Sequence, residues 1–391
     1  MTPKATEAVV SSQLRGYGHP SEALDEALLT VTVEEYGRSI ARFFVEQHGE
    51  QVARSADGLL ESIQPWLDGA PLPGVSWDPA FGDMYRALVV GAAGERVRIV
   101  TSVALHLASR GAPMSFTVDL ETPARLRWGH LLLPETQHLE VRSDGSRAEL
   151  RASSTGAAIE RFELDGPGPD WRGDGVETLA RLDRHGVAMT IYTQAQLDVK
   201  DFDELRIRAV DAIDPRVVEV FAEAVDIVRE YAPIYLPWIQ RPLHHLFLLR
   251  PVSHTIESGS VEHYLGLVHM SAHMEALPVA ELLVHEASHQ YMNVAMKIEP
   301  LDDGTDSTLY WSPPVQRERP LKMILAGYHA FGNVLDFYRR CRAAGLPNET
   351  ECERQERLLG GWLQELVQPL ADNPALTATG RGLVDPLRER L

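Results

Sequence analysis

The twelve residues Glu281–Met292, ELLVHEASHQYM, constrain this chain more than any other stretch. Apolar Leu282, Leu283, Val284, Met292 and Val294 surround two histidines and a glutamate. A proline near the first turn, in Leu277-Pro278, opens a predicted helix that runs to about Lys297. At 3.6 residues per turn, His285 and His289 project from one face about one turn apart, and Glu286 lies about 100° around the helix. A buried pair of histidines needs hydrogen-bond partners or a metal ion. Imidazoles so placed can take adjacent corners of one ion. Glu286 reaches a metal-bound water more easily than the ion, and in zinc hydrolases that glutamate is the general base.

A third ligand decides the chemistry. The extended His-Glu-x-x-His-x-x-Gly-x-x-His pattern fails, because Met292 and Ala295 stand where Gly and His belong. A glutamate about 20 residues on is also missing, since Leu309 is there; Glu299 is too near, and Glu318 falls in a Pro/Arg-rich loop. Asp306, in GTDSTLY, is one residue out of register with the aspartate-ligated zinc proteases and stands as runner-up. The favoured ligand is His329, in a helix predicted from near Pro320 to Gly345. Lys322, Asn333 and Asp336 form a polar stripe with it on an otherwise apolar helix. A lone histidine so placed is usually a hydrogen-bonded core residue. Beside a pair that needs a third ligand, ligation is the preferred reading.

The rest of the chain reads as α+β. Helices are expected over 22–47 and 214–233, the latter with Asp214 as N-cap and Pro215 first. A further helix is expected in ETECERQERLLGGWLQELVQPL. Residues 83–110 are ambiguous, helix and then a buried apolar segment. MSFTVDL, RLRWGHLLLP, HLEVRS and AIERFELDG predict a small antiparallel sheet between about 114 and 164. VAMTIYT, LFLLRPVSHTIES and EHYLGLVHMS predict three more strands. The loop DGPGPDWRGDG marks a boundary, giving a mixed N-terminal region, 1–170, expected to bind substrate, and a catalytic region, 171–391. The order strand, strand, HExxH helix, helix resembles the catalytic half of zincin-like folds.

Composition narrows the partners. A net charge of −19 repels phosphate backbones and anionic lipid, so neither nucleic acid nor membrane is expected. No apolar run approaches a membrane span, and the first twenty residues lack the apolar core of a signal peptide. Two cysteines, Cys341 and Cys352, make no disulfide framework. A cytoplasmic protein is expected. His244, His245, His269 and His273 read as non-ligands, with His269 the one closest to facing the site.

From LVHEASHQYM through YWSPPVQRERPLKMILAGYHAFGNVLDFY, the sequence resembles the HExxH-type peptide-modification family. Its members accompany ribosomally made peptide natural products and are read as 2-oxoglutarate-dependent peptide β-hydroxylases. The matching elements are His285, Glu286 and His289, the pairs Ser312-Pro313 and Arg319-Pro320, and the helix carrying His329 and Phe331. They cover about residues 262–340. The resemblance implies a mononuclear Fe(II) centre held by His285, His289 and a third ligand, with 2-oxoglutarate and dioxygen at its open positions. It also implies a cation for the far carboxylate of 2-oxoglutarate. Arg319 and Lys322 are best placed, Arg317 less so, and Tyr310 or Ser312 could add a hydroxyl. The substrate would be a peptide or amino acid, such as a ribosomal precursor peptide. Two other readings stay open: a Zn peptidase with Glu286 as base and Asp306 or His329 as third ligand, and an inactive scaffold that binds a precursor peptide.

Overall fold

The computed structural model describes residues 12–72, 74–90, 95–154, 160–165, 171–172, 175–197, 208–251 and 257–391. Over these the protein is mixed α+β, with helices packed on antiparallel and mixed sheets.

Helices α1 (Glu26–Ala53), α2 (Leu59–Leu67), α3 (Pro79–Val90) and α4 (Arg96–Ser109) accompany the first sheet. The ambiguous 83–110 stretch is thus parts of two helices. The sheet is antiparallel, in the order β1 (Ala56–Asp57), β2 (Met114–Trp128), β3 (Leu131–Ser143), β4 (Arg147–Ser153), β5 (Glu160–Asp165), with β6 (Glu177–Thr178) added to β3. Met114, Phe116, Val118 and Leu120 alternate inward along β2, the period expected of a sheet with one covered face. RLRWGHLLLP is not one strand. Trp128 pairs with Leu131 across a two-residue turn, and Gly129 takes the left-handed conformation (φ 58°) that such a hairpin demands. Most of the loop 165–175 lies outside the described residues.

The second sheet runs β10 (Ser258–Ser260), β11 (Leu267–Ser271), β9 (His245–Leu249), β8 (Val187–Tyr192), β7 (Ala180–Arg184). Its three central strands are parallel and its edge pairs antiparallel. β9 is buried throughout, as a continuous apolar run in a covered sheet should be. Helices α5 (Pro215–Tyr231) and α6 (Tyr235–Gln240) make the crossover from β8 to β9. Asp214 caps α5 by accepting from Arg216 N at 2.8 Å. In EHYLGLVHMS only the last five residues form a strand; the first five make the turn into it. In LFLLRPVSHTIES, β9 and β10 are two separate strands, and 252–256 lie outside the described residues.

Helix α7 (Ala276–Ile298) follows β11 and packs against α8 (Leu321–Ala343), α5 and β10. Between α7 and α8, the stretch read as a loop holds a hairpin, β12 (Leu309–Ser312) with β13 (Arg317–Pro320). The strands are four residues each and mostly exposed, so no apolar alternation announced them. Helices α9 (Glu349–Leu366) and α10 (Ala378–Arg388) pack on α8. One large hydrophobic core gathers residues from Ile40 to Trp171; a second gathers Leu14, Tyr17, Leu29, Val33 and Trp77 with residues from Leu182 to Leu387; a smaller third joins Leu132 to Tyr192, Phe247 and Tyr264. Helix α1 therefore enters the first two. Cys341 and Cys352 are buried and free. No described helix is long and apolar enough to cross a membrane.

Candidate metal and anion site

Helix α7 is fixed to the sheet by Gln290. Its Oε1 accepts from Gly266 N at 3.0 Å and its Nε2 donates to Leu267 O at 3.0 Å, so the helix is tied to the start of β11. The adjoining face of the helix borders a cavity of about 440 Å³. The cavity holds His285, Glu286 and His289 on one wall, with Ser312, Arg319 and Lys322 from the hairpin and α8 on another.

The two histidines are aimed at each other, with Nε2 atoms 3.0 Å apart. Two nitrogens about 2.0–2.1 Å from one ion and about 90° apart would be separated by about 3 Å. The pair fits a shared metal. Burial lowers the pKa of His289 to about 4 and holds His285 well below the ordinary range, and neutral imidazole is the ligating form. Phe331 packs edge-on against His285, with ring centroids 4.9 Å apart, and is backed by Trp362.

Glu286 is fully buried. Its Oε1 accepts from Ser258 Oγ of β10 at 2.6 Å, while Oε2 has no hydrogen-bond partner. Burial lifts its pKa to about 7 against the opposing pull of Ser258 and Ser260. The β10 serines carried no readable signal, because their strand is three residues long.

Arg319 is half-buried, and among the described residues it has no carboxylate partner. Burial and the charge of Arg317 lower its pKa, and its field in turn lowers that of His289. Lys322 is committed elsewhere: Nζ lies 2.9 Å from Glu262 Oε2, and Lys297 reaches the same carboxylate at 3.5 Å. Ser312 is buried in the cavity wall.

Four candidate residues lie outside the cavity lining. Arg317 is exposed on β13. The Tyr310 hydroxyl donates to Asp306 Oδ2 at 2.7 Å and is thereby committed outside the cavity. Asp306 is saturated by Tyr310, Asn373 and Thr308 N, which removes it as a ready ligand. His329 is fully buried on the flank of α8. Its Nε2 lies 2.9 Å from Tyr17 O, so Nε2 carries the proton, and Nδ1 is left buried with a lone pair and no partner. Its field reaches His285, and that of His289 reaches it. Among the described residues, however, no three His, Cys, Asp or Glu side chains converge on one point that could hold an ion. His329 is a neighbour of the pair, not yet part of a closed triad. His269 does not line the cavity; its ring lies over Gly259 of β10.

No protein-family model matches this chain, and no curated protein is significantly similar to it.

Proposed function

We propose that the chain is an Fe(II)- and 2-oxoglutarate-dependent oxygenase of the HExxH-type peptide-modification kind, built on a zincin-like frame and hydroxylating a peptide or amino acid. One observation carries the reading: a desolvated guanidinium, Arg319, with no carboxylate partner, shares a cavity with two neutral histidines aimed at one point. A cosubstrate with a free carboxylate needs such a cation, and a planar guanidinium binds one with two parallel hydrogen bonds. The antiparallel edge strand β10 beside the HExxH helix supports the frame.

His285 and His289 would hold the metal, with the Nδ1 lone pair of His329 as the third donor. Iron bound there would supply C–H oxidation, with 2-oxoglutarate as the source of two electrons. Arg319 binds the far carboxylate, and Ser312 is placed to donate to it. Phe331, Met292 and Met296 give the cavity an apolar wall that keeps bulk water from the reacting carbon. Glu286 holds a proton on a buried carboxyl and is anchored by Ser258.

That same carboxyl favours a second reading. A buried glutamate with a pKa near 7, next to a histidine pair, is also what a zinc peptidase uses as its base. Anaerobically purified protein given Fe(II), 2-oxoglutarate and air separates the two. The oxygenase forms succinate, His285→Ala abolishes it, and Arg319→Gln raises the 2-oxoglutarate concentration needed by about tenfold or more. Tightly bound zinc with no succinate would move the chain to the hydrolases.

A further inference from the structure

A second buried polar network lies at the junction of the two cores, outside the HExxH site. Asp78, at the start of α3, is 3% exposed. Its Oδ1 accepts from Ala80 N at 2.9 Å and from Arg127 Nη2 at 2.8 Å. Arg127 Nη1 donates to the Tyr192 hydroxyl at 2.8 Å, and that hydroxyl lies 2.8 Å from His245 Nδ1. The Tyr192 and His245 rings stack with centroids 5.8 Å apart. The chain of donors sets the tautomer. A guanidinium only donates, so Tyr192 accepts from Arg127 and turns its own proton to His245 Nδ1. The neutral imidazole then carries its proton on Nε2. Burial holds His245 well below the ordinary histidine range, in keeping with that neutral form.

His245 Nε2 is buried and has no hydrogen-bond partner. A desolvated N–H without an acceptor is costly, and most such groups in folded proteins are satisfied. His245 lines a cavity of about 210 Å³ whose walls come from both halves of the chain, including the end of α4, the β2–β3 turn, β7, β8 and the start of β9. Among its lining residues Asp78 is the only carboxylate, and Arg127 neutralises it. Arg110 and Arg181 also line the cavity. Arg110 is exposed and has no carboxylate partner among the described residues. In a chain of net charge −19, this is a local concentration of positive charge around an unanswered donor.

We infer that this cavity binds a compact oxyanion, a carboxylate or a phosphate group, which accepts from His245 Nε2–H and is paired by Arg110. The volume sets the size. It suits a fragment of a few heavy atoms and is below the several hundred Å³ of a nucleotide or cofactor pocket. The inference does not depend on the metal site. Because the lining spans both halves, the bound anion also ties the two cores together.

Isothermal titration of the full chain tests this, with sodium phosphate in one arm and sodium acetate in the other, at ionic strength held constant by chloride. Saturable one-site binding is expected in at least one arm, and the arm that binds identifies the anion class. Arg110→Gln should weaken it by about tenfold. His245→Phe should do the same. Arg319→Gln removes any binding at the guanidinium of the other cavity and should leave in place the binding that Arg110→Gln weakens. If His245→Phe fails to fold through the loss of a Tyr192 partner, the rim variant Arg110→Gln decides alone. No binding in either arm overturns the inference. So does binding that survives Arg110→Gln or disappears in Arg319→Gln.

Discussion

At the scale of single residues, the chemistry rests on which polar atoms are answered. Glu286 has one oxygen on Ser258 and one oxygen bare, and it sits near half-protonation at neutral pH. Under the oxygenase reading its charge is not consumed in the reaction. Glu286→Gln should therefore retain at least about a tenth of the succinate formation, where a general base would cost 10²-fold or more. His329 gives a second prediction. With Nε2–H on the Tyr17 carbonyl, only Nδ1 is left to reach an ion. His329→Asn should lower the iron retained after gel filtration, read by metal analysis, by about tenfold or more. Unchanged iron content would leave His285 and His289 without this third donor. The histidine pair and its glutamate were legible from spacing alone; Arg319 was expected only through what the family resemblance implies. The ties of Tyr310 and Asp306 to each other were not, because they depend on how the segment before the hairpin packs against Asn373, far along the chain.

At the scale of elements, long and capped segments were legible and short ones were not. Helices α5, α7, α8 and α9 begin and end within a few residues of their sequence signals; in α5 proline, aspartate cap and apolar period agree, and in the other three the apolar period suffices without a side-chain cap. The hairpin β12–β13 was missed, since its turn residues and exposed strands have the composition of a loop. Yet this hairpin brings Ser312 and Arg319 over α7. Close approach also joins elements that no pattern links. Gly82 of α3 lies against the Tyr264 ring, where an added Cβ would come within 2.1 Å of a ring carbon. Gly82→Ala should destabilise the fold by about 1–3 kcal/mol through overpacking. A urea midpoint equal to that of the parent chain would show that α3 and the turn before β11 are not in contact.

At the scale of the whole molecule, burial of neutral histidines sets the pH response. His106, His244 and His269 are each held at about 4 by burial, against about 6.5 for an exposed histidine. Between those values the unfolded chain takes up protons that the folded chain refuses. Their stabilisation is thus fully present above pH 6.5 and is lost as pH falls toward 4, at up to about 1.4 kcal/mol per pH unit for each group. Glu34, Glu281, Glu286 and Asp385, raised by burial, work in the opposite sense, but they are four groups against eight lowered histidines, since His48, His245, His285, His289 and His329 join these three. Urea unfolding at pH 7, 6 and 5 should show a falling midpoint; a level one would contradict the burial of these rings. One core runs to Trp171, yet Leu14, Tyr17, Leu29, Val33 and Trp77 pack into the other; Leu29 and Val33 do so from α1, which is long enough to enter both. What the sequence determined by itself was local: helix periods, caps, the alternation of β2 and β3, and two histidines one turn apart, all set by interactions within a few residues. Tertiary structure alone decided what those residues meet. It left Arg319 unpaired and Lys322 on Glu262, put a carbonyl from residue 17 on His329, and joined Asp78, Arg127, Tyr192 and His245 into one buried chain. Each of these depends on segments far apart in sequence, whose approach is set by the packing of two cores and by no local preference.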